Sequence, residues 1–185
     1  MEAGESSGTM VSKRAVGKEV LQPTSLHAEG VVEELRKCRV THVVWLPDSE
    51  TNFMYKALQE GPGLTLVPVC REGEAMAVCA GLIMGGKKPV TLIQNTGFFE
   101  SGDSIRGICL NLKLPLLLMI GYRGFRKDVP MTDSAGICLE PVLSAFGIPY
   151  HIIEKDSHLP LISQAFRESQ ETSRTIAVLI AKEYD

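Results

Sequence analysis

Strand-type and helix-type segments alternate along this chain without a break, and the alternation fixes the class of fold before any single residue is considered. The apolar runs at 43–46, 64–69, 90–93, 115–120, 150–153 and 175–180 are short and rich in Val, Ile and Leu. Runs of that length without polar alternation suit strands covered on both faces. Between them, apolar residues recur at helical spacing: Leu26, Val31, Val32 and Leu35 near the start, Phe99, Ile105, Ile108, Cys109 and Leu112 in the middle, Leu159, Leu161, Ile162 and Phe166 near the end. This succession predicts an α/β fold, a six-stranded, mostly parallel sheet with helices on both faces. The local punctuation agrees. Gly61-Pro62-Gly63 closes one helix. Asp48 or Ser49 can cap the helix at 51–59, and Asp133 or Ser134 the helix that runs to 146.

A length of 185 residues suits one domain with a proper core. The small, polar residues 1–22 are expected to form a disordered tail, with Met10 as an alternative start, and the domain to occupy 23–185. The tail has no apolar stretch of the signal-peptide kind, so a cytoplasmic location is expected. Net charge is −3 and the basic residues are dispersed, which argues against a nucleic-acid or membrane-surface partner. The longest apolar run, 114–120, has the length of a strand and not of a membrane span. Five cysteines without a C-x-x-C pair or a Cys/His cluster suggest buried free thiols in a reducing compartment.

In a parallel sheet, ligands bind at the carboxyl edge. Two polar features fall there. Glu72, in Cys70-Arg71-Glu72-Gly73-Glu74-Ala75, sits where the second strand gives way to a helix. Gln94-Asn95-Thr96-Gly97 follows the third strand. Each also has an ordinary structural use. A carboxylate in a first turn offsets the helix dipole, and a Gln-Asn-Thr-Gly string makes a turn with a helix cap. Leu46-Pro47-Asp48-Ser49 ends the first strand, where Asp48 is equally suited to capping.

These three strings, in this order at successive strand ends, resemble the pyrimidine-binding domain of thiamine diphosphate enzymes. The likeness is to the branch that decarboxylates sulfopyruvate and phosphonopyruvate. It covers residues from about Ser25 to Asp185. It implies that Glu72 exchanges a proton with the pyrimidine ring of the cofactor, with Glu74 as the competing carboxylate. The two differ by about 200° around a helix, so only one of them faces the ring. The chemistry wants a partly desolvated carboxylic acid able to hold a proton near neutral pH. The resemblance further places Gln94, Asn95, Thr96 and Gly97 beside the cofactor. It gives Asp48 a part in proton handling, and Ser49, Gln94 and Asn95 contact with the substrate.

Sulfopyruvate and phosphonopyruvate both carry a second anionic group, for which Arg71, Arg106 and Arg123 are candidates. Arg123 leads because it follows a strand end. The pyruvate-specific branch usually carries a His-His pair after the fourth strand. Here Pro130-Met131-Thr132-Asp133 stands in its place, which speaks against simple pyruvate. His27, His151 and His158 are given no catalytic role. The Gly-Asp-Gly…Asn signature that binds diphosphate and Mg²⁺ in these enzymes is missing. The chain is therefore expected to hold no metal itself and to work with a separate diphosphate-domain (beta) subunit, with self-association besides. Two other classes remain open: a non-catalytic α/β module that keeps the fold for assembly or regulation, and a flavodoxin-like binding domain. The second lacks the Gly-rich phosphate turn it needs after the first strand.

Overall fold

The computed structural model describes residues 25–182. The tail expected at 1–22 lies outside the described residues. Strands β1 (His42–Trp45), β2 (Thr65–Pro68), β3 (Pro89–Gln94), β4 (Leu117–Gly121), β5 (Tyr150–Ile153) and β6 (Ile176–Ile180) form one sheet in the order β2-β1-β3-β4-β6-β5. Every neighbouring pair is parallel, so the sheet is wholly rather than mostly parallel.

Helices α1 (Ala28–Lys37), α2 (Tyr55–Glu60) and α7 (Pro160–Thr172) cover one face. Helices α3 (Glu72–Met84), α4 (Asn95–Glu100), α5 (Gly102–Ser104) and α6 (Ser134–Ala145) cover the other. Successive strand residues point to opposite faces. Val43, Leu92, Met119 and Val178 therefore enter the core with Val31, Leu35, Ile162 and Phe166. Val44, Ile93, Ile120 and Leu179 enter the core with Met76, Phe98, Ile105 and Leu139. Both cores need apolar residues, which is why the strand runs show no alternation.

Four local details differ from the sequence expectation. The helix expected at 98–112 starts at Asn95 and is broken into α4, α5 and a π-helical turn, Ile105–Leu110. Ser101 Oγ donates to Gly97 O at 2.7 Å, and such back-bonding competes with the regular ladder. Helix α1 is capped from across the fold, where His27 N donates to Asp156 Oδ1 at 2.9 Å. A 3₁₀ turn, Asn52–Met54, precedes α2, and Asp48 supplies its acceptors. Helix α6 is capped as expected, Asp133 accepting from Ala135 N at 2.9 Å. The five cysteines are free: Cys38, Cys79 and Cys109 are buried, but Cys70 and Cys138 are exposed.

β2 lies at the sheet edge. The amides of Thr65 and Val69 face inward, donating to Thr41 O and Trp45 O. By alternation the outward positions are Leu66 and Pro68, and Pro68 has no N–H to offer. Among the described residues no helix is long and apolar enough to cross a membrane.

Candidate active site

The chain leaves β1 toward β2 on one side and leaves β3 toward β4 on the other. The two connections diverge, and the crevice between the carboxyl ends of β1 and β3 is the switch point of the sheet. Three segments surround it: the loop from Pro47 after β1, the Gln94–Gly97 corner after β3, and the first turn of α3.

Glu72 opens α3, half-buried. Its side chain lies directly across Gly97. A methyl group there would overlap it, with Glu72 Oε1 only 2.5 Å away. Glycine at 97 is thus the space in which the carboxylate rests. Glu74 is exposed on another side of the helix. Of the two candidates, Glu72 is the one beside the corner.

The corner is not the free turn that its composition suggests. Gln94 is the last residue of β3, and Asn95, Thr96 and Gly97 form the first turn of α4. Thr96 Oγ1 donates to Gln94 Oε1 at 2.7 Å, and Gln94 Nε2 lies 3.5 Å from Ser49 Oγ, linking the corner to the β1 loop. Asn95 is buried. Its Nδ2 donates to Arg123 O at 2.8 Å, while its Oδ1 has no hydrogen-bond partner. A buried acceptor without a donor is costly. An orphan acceptor, a half-buried carboxylate and a glycine cradle suit a flat heterocycle bearing N–H donors. Glu72, Gln94 and Asn95 are the residues that would hold it. Among the described residues, no group of three or more His, Cys, Asp or Glu side chains is arranged to hold a metal ion.

The charged residues are more committed than the sequence shows. Asp48 Oδ1 accepts from the amides of Glu50 (2.8 Å) and Thr51 (2.9 Å), and its Oδ2 from Thr51 Oγ1 (2.6 Å). Both oxygens are held by the loop itself. Arg71 and Arg106 are paired with Glu100 and Asp103. Arg123 donates to Asp133 Oδ2 at 2.9 Å and remains half-exposed at the end of β4. Of the three arginines, only Arg123 is tied to the corner, through its carbonyl.

Three residues outside the sequence reading help to shape the site. Glu100 accepts from Arg71 and from Gly73 N (3.0 Å), so it ties the start of α3 to the end of α4. The Arg71 hydrogen bond holds its carboxyl below the usual range, with the Gly73 amide adding to the effect. Glu140 accepts from Tyr122 (2.7 Å) and Tyr150 (2.5 Å), clamping the end of β4 to β5. Glu50 packs against Gly121 at the end of β4, its Cβ 2.8 Å from where a Cβ on that glycine would stand. Burial pushes the Glu50 carboxyl up, Asp48 and Asp133 push it further, and Arg123 opposes them. Glu50 directly follows the Pro47-Asp48-Ser49 string, and that adjacency was the signal available. The partners of Glu100 and Glu140 are remote in sequence and left none.

No family model matches the sequence. It is 26% identical over 151 residues to the sulfopyruvate decarboxylase subunit alpha of Methanocaldococcus jannaschii, which covers 80% of this chain and 89% of that one. The chain resembles the alpha subunits of sulfopyruvate decarboxylase. A second such subunit, from Methanococcus maripaludis, is 28% identical over 159 residues, 83% of this chain and 93% of its own. The sulfopyruvate decarboxylase of Methanosarcina acetivorans is 26% identical over 155 residues. This chain spans only 39% of that longer relative. Among solved structures, a 2-oxoglutarate:ferredoxin oxidoreductase from Magnetococcus marinus superposes with a TM-score of 0.61 over 85% of this chain and 31% of its own, at 14% identity. That likeness is one of fold.

Proposed function

We propose that this chain is the pyrimidine-binding (alpha) subunit of a thiamine diphosphate-dependent decarboxylase that converts 3-sulfopyruvate to sulfoacetaldehyde and CO₂. The observation that carries the reading is the seating of Glu72 across Gly97, beside Gln94 and Asn95, at the switch point of the sheet. The similarity to sulfopyruvate decarboxylase alpha subunits over about four-fifths of the chain supports it.

In this reading residues 23–185 form one cofactor-binding domain in the cytoplasm. The cofactor, when bound, supplies the electron sink for loss of CO₂. Glu72 exchanges a proton with its pyrimidine ring. Gln94 and Asn95, with Thr96 and Gly97, fix the ring's position, and Ser49 and Gln94 orient the substrate carboxylate by hydrogen bonds. Arg123 faces the sulfonate, for which its planar donor set is suited. Asp48 organises the loop that carries Ser49.

Mg²⁺ and the diphosphate belong to a separate beta subunit, which closes the site from above. Helix α3 bears on this. It is apolar nearly all round, and Ala77, Gly81 and Met84, spaced along one face, are exposed. A face of that kind is expected to be covered in the assembly.

The test is decarboxylation of 3-sulfopyruvate, with phosphonopyruvate as the rival substrate, by the chain alone and with a co-expressed diphosphate-domain subunit. Activity in the pair only, abolished by Glu72→Gln, is the expected result. A folded complex inactive on both substrates would overturn the reading in favour of a non-catalytic module.

A further inference from the structure

The candidate active site occupies the carboxyl edge of the sheet. The opposite edge, where the strands begin, brings together cations from three separate elements. Arg39 lies between α1 and β1, Lys88 directly precedes β3, and Arg167 is in the middle of α7. With Lys37 they line one pocket of about 300 Å³, walled by Cys38 and Phe166. β3 is six residues long, so its two ends stand roughly 20 Å apart at about 3.3 Å per residue. The pocket is therefore remote from the Gln94 corner.

The elements that carry these cations are pinned to one another. Thr41 N donates to Lys88 O at 2.8 Å, and Lys88 N donates to Thr41 Oγ1 at 3.0 Å, which zips the segment after Arg39 to the start of β3. Arg39 takes the left-handed conformation that closes α1, with φ at 57°, and its amide donates to Arg36 O at 2.8 Å. Glycine is the usual occupant of such a position. Cys38 Sγ, 3.8 Å from Ser163 O, joins the same helix end to α7. Burial pushes the Cys38 thiol up, Arg167 opposes it, Glu34 adds to it, and Lys88 and Lys37 oppose it again. Three of the cations thus act on one sulfur atom.

Counter-charge is what these cations lack. Arg36, Arg71, Arg106 and Arg123 each hold a carboxylate, and Lys37 holds Glu34 at 2.6 Å. The side chains of Arg39, Lys88 and Arg167 have no hydrogen-bond or ion-pair partner among the described residues. Glu171, exposed, is the one carboxylate in the pocket lining. With Lys37 neutralised by Glu34, three cations face one carboxylate, an excess of two positive charges. A cation after α1 offsets that helix's dipole, but the effect ends within the last turn, and Lys88 and Arg167 belong to other elements.

We infer that this pocket binds a small oxyanion of the phosphate class that carries two or more negative charges. Guanidinium and ammonium groups match the oxygens of such an anion, and the excess of two charges matches its own. The enclosed arrangement and the chain's net charge of −3 favour a compact anion over a polymer. The site goes beyond the function proposed above and does not depend on it.

The experiment is calorimetric titration of the full chain with inorganic pyrophosphate at a fixed ionic strength of about 0.15 M. One pyrophosphate per chain is expected. Arg167→Gln and Lys88→Gln should each weaken binding about tenfold or more, because each removes a charge-assisted contact. Both should keep the thermal midpoint of the parent, since neither side chain has a partner to lose. Lys113→Gln is the comparison. Lys113 stands at the same edge, ahead of β4, but lines a different pocket, so its affinity should match the parent. Failure of the unmodified chain to bind pyrophosphate would overturn the site. Equal weakening in Lys113→Gln would do the same, by showing diffuse attraction to a basic edge. Weakening in Arg123→Gln with Arg167→Gln and Lys88→Gln unaffected would move the anion to the carboxyl edge and also overturn it, as would tight binding of a single-stranded RNA oligomer that pyrophosphate does not displace. If one of the two pocket variants does not fold, the other decides. The titration needs neither a second subunit nor a cofactor, so its failure leaves the decarboxylase reading standing.

Discussion

Glycine at 97 and glutamate at 72 are one device at the level of single residues, since the side chain of the second occupies the space left by the first. Two predictions follow from that contact. Glu72→Gln is expected to lower kcat of the assembled enzyme by about 10²- to 10⁴-fold, while Glu74→Gln stays close to the parent; steady-state decarboxylation rates decide between them. Gly97→Ala is expected to keep its circular dichroism spectrum yet lose most of the thermal stabilisation expected from thiamine diphosphate under the proposed function, because the added methyl pushes the carboxylate aside. Glu72, Gln94 and Gly97 were legible in the sequence. Alternating strand and helix signals fix the direction of every strand, and hence which residues share the carboxyl edge. For Glu50 the sequence offers only its adjacency to Pro-Asp-Ser, where a carboxylate reads equally as an ordinary loop charge. Only its packing against Gly121, some seventy positions on, distinguishes it.

At the level of elements, ties between segments far apart in the chain set the geometry. Glu100 reaches back 29 positions to Arg71 and also receives the Gly73 amide. Its carboxyl is held below the ordinary value, so its contribution to stability is present above the unfolded-state pKa of about 4.3 and is lost as pH falls through the lower folded value. The thermal midpoint of Glu100→Gln should therefore lie below that of the parent at neutral pH, and the gap should close in acid. The Glu140 clamp behaves in the opposite direction. Hydrogen bonding to Glu140 and burial hold the Tyr150 phenol up at about 12. Burial, with Glu140 adding to it, raises Tyr122 further. A raised phenol stabilises the fold fully below its unfolded value of about 10, and that stability is lost as pH rises through the folded value. Urea unfolding between pH 9 and pH 12 is expected to show a steep loss for the parent and a shallower one for Glu140→Gln. Strand and helix order was readable from periodicity alone. The break of the middle helix at Ser101, the π turn after it and the cap from Asp156 onto α1 were not, because each depends on a partner that periodicity does not report.

At the level of the whole molecule, the wholly parallel sheet concentrates the polar residues of three loops at one edge, while α3 carries an apolar surface away from it. A Cβ on Gly81 meets no atom within 4 Å. Gly81→Arg should therefore fold with an unchanged thermal midpoint but no longer co-elute with the proposed diphosphate-domain subunit, as size-exclusion chromatography with light scattering would show. The fold class was legible because it depends on composition averaged over many residues. Which surface would meet another chain is not recorded by any linear pattern. The proline in the edge strand β2 bears on how copies of the chain meet one another. Each copy of the chain presents the β2 margin to every other copy, and Pro68 leaves that margin with a gap in its row of donors. Two copies are thereby less able to stack strand on strand into fibrous aggregates.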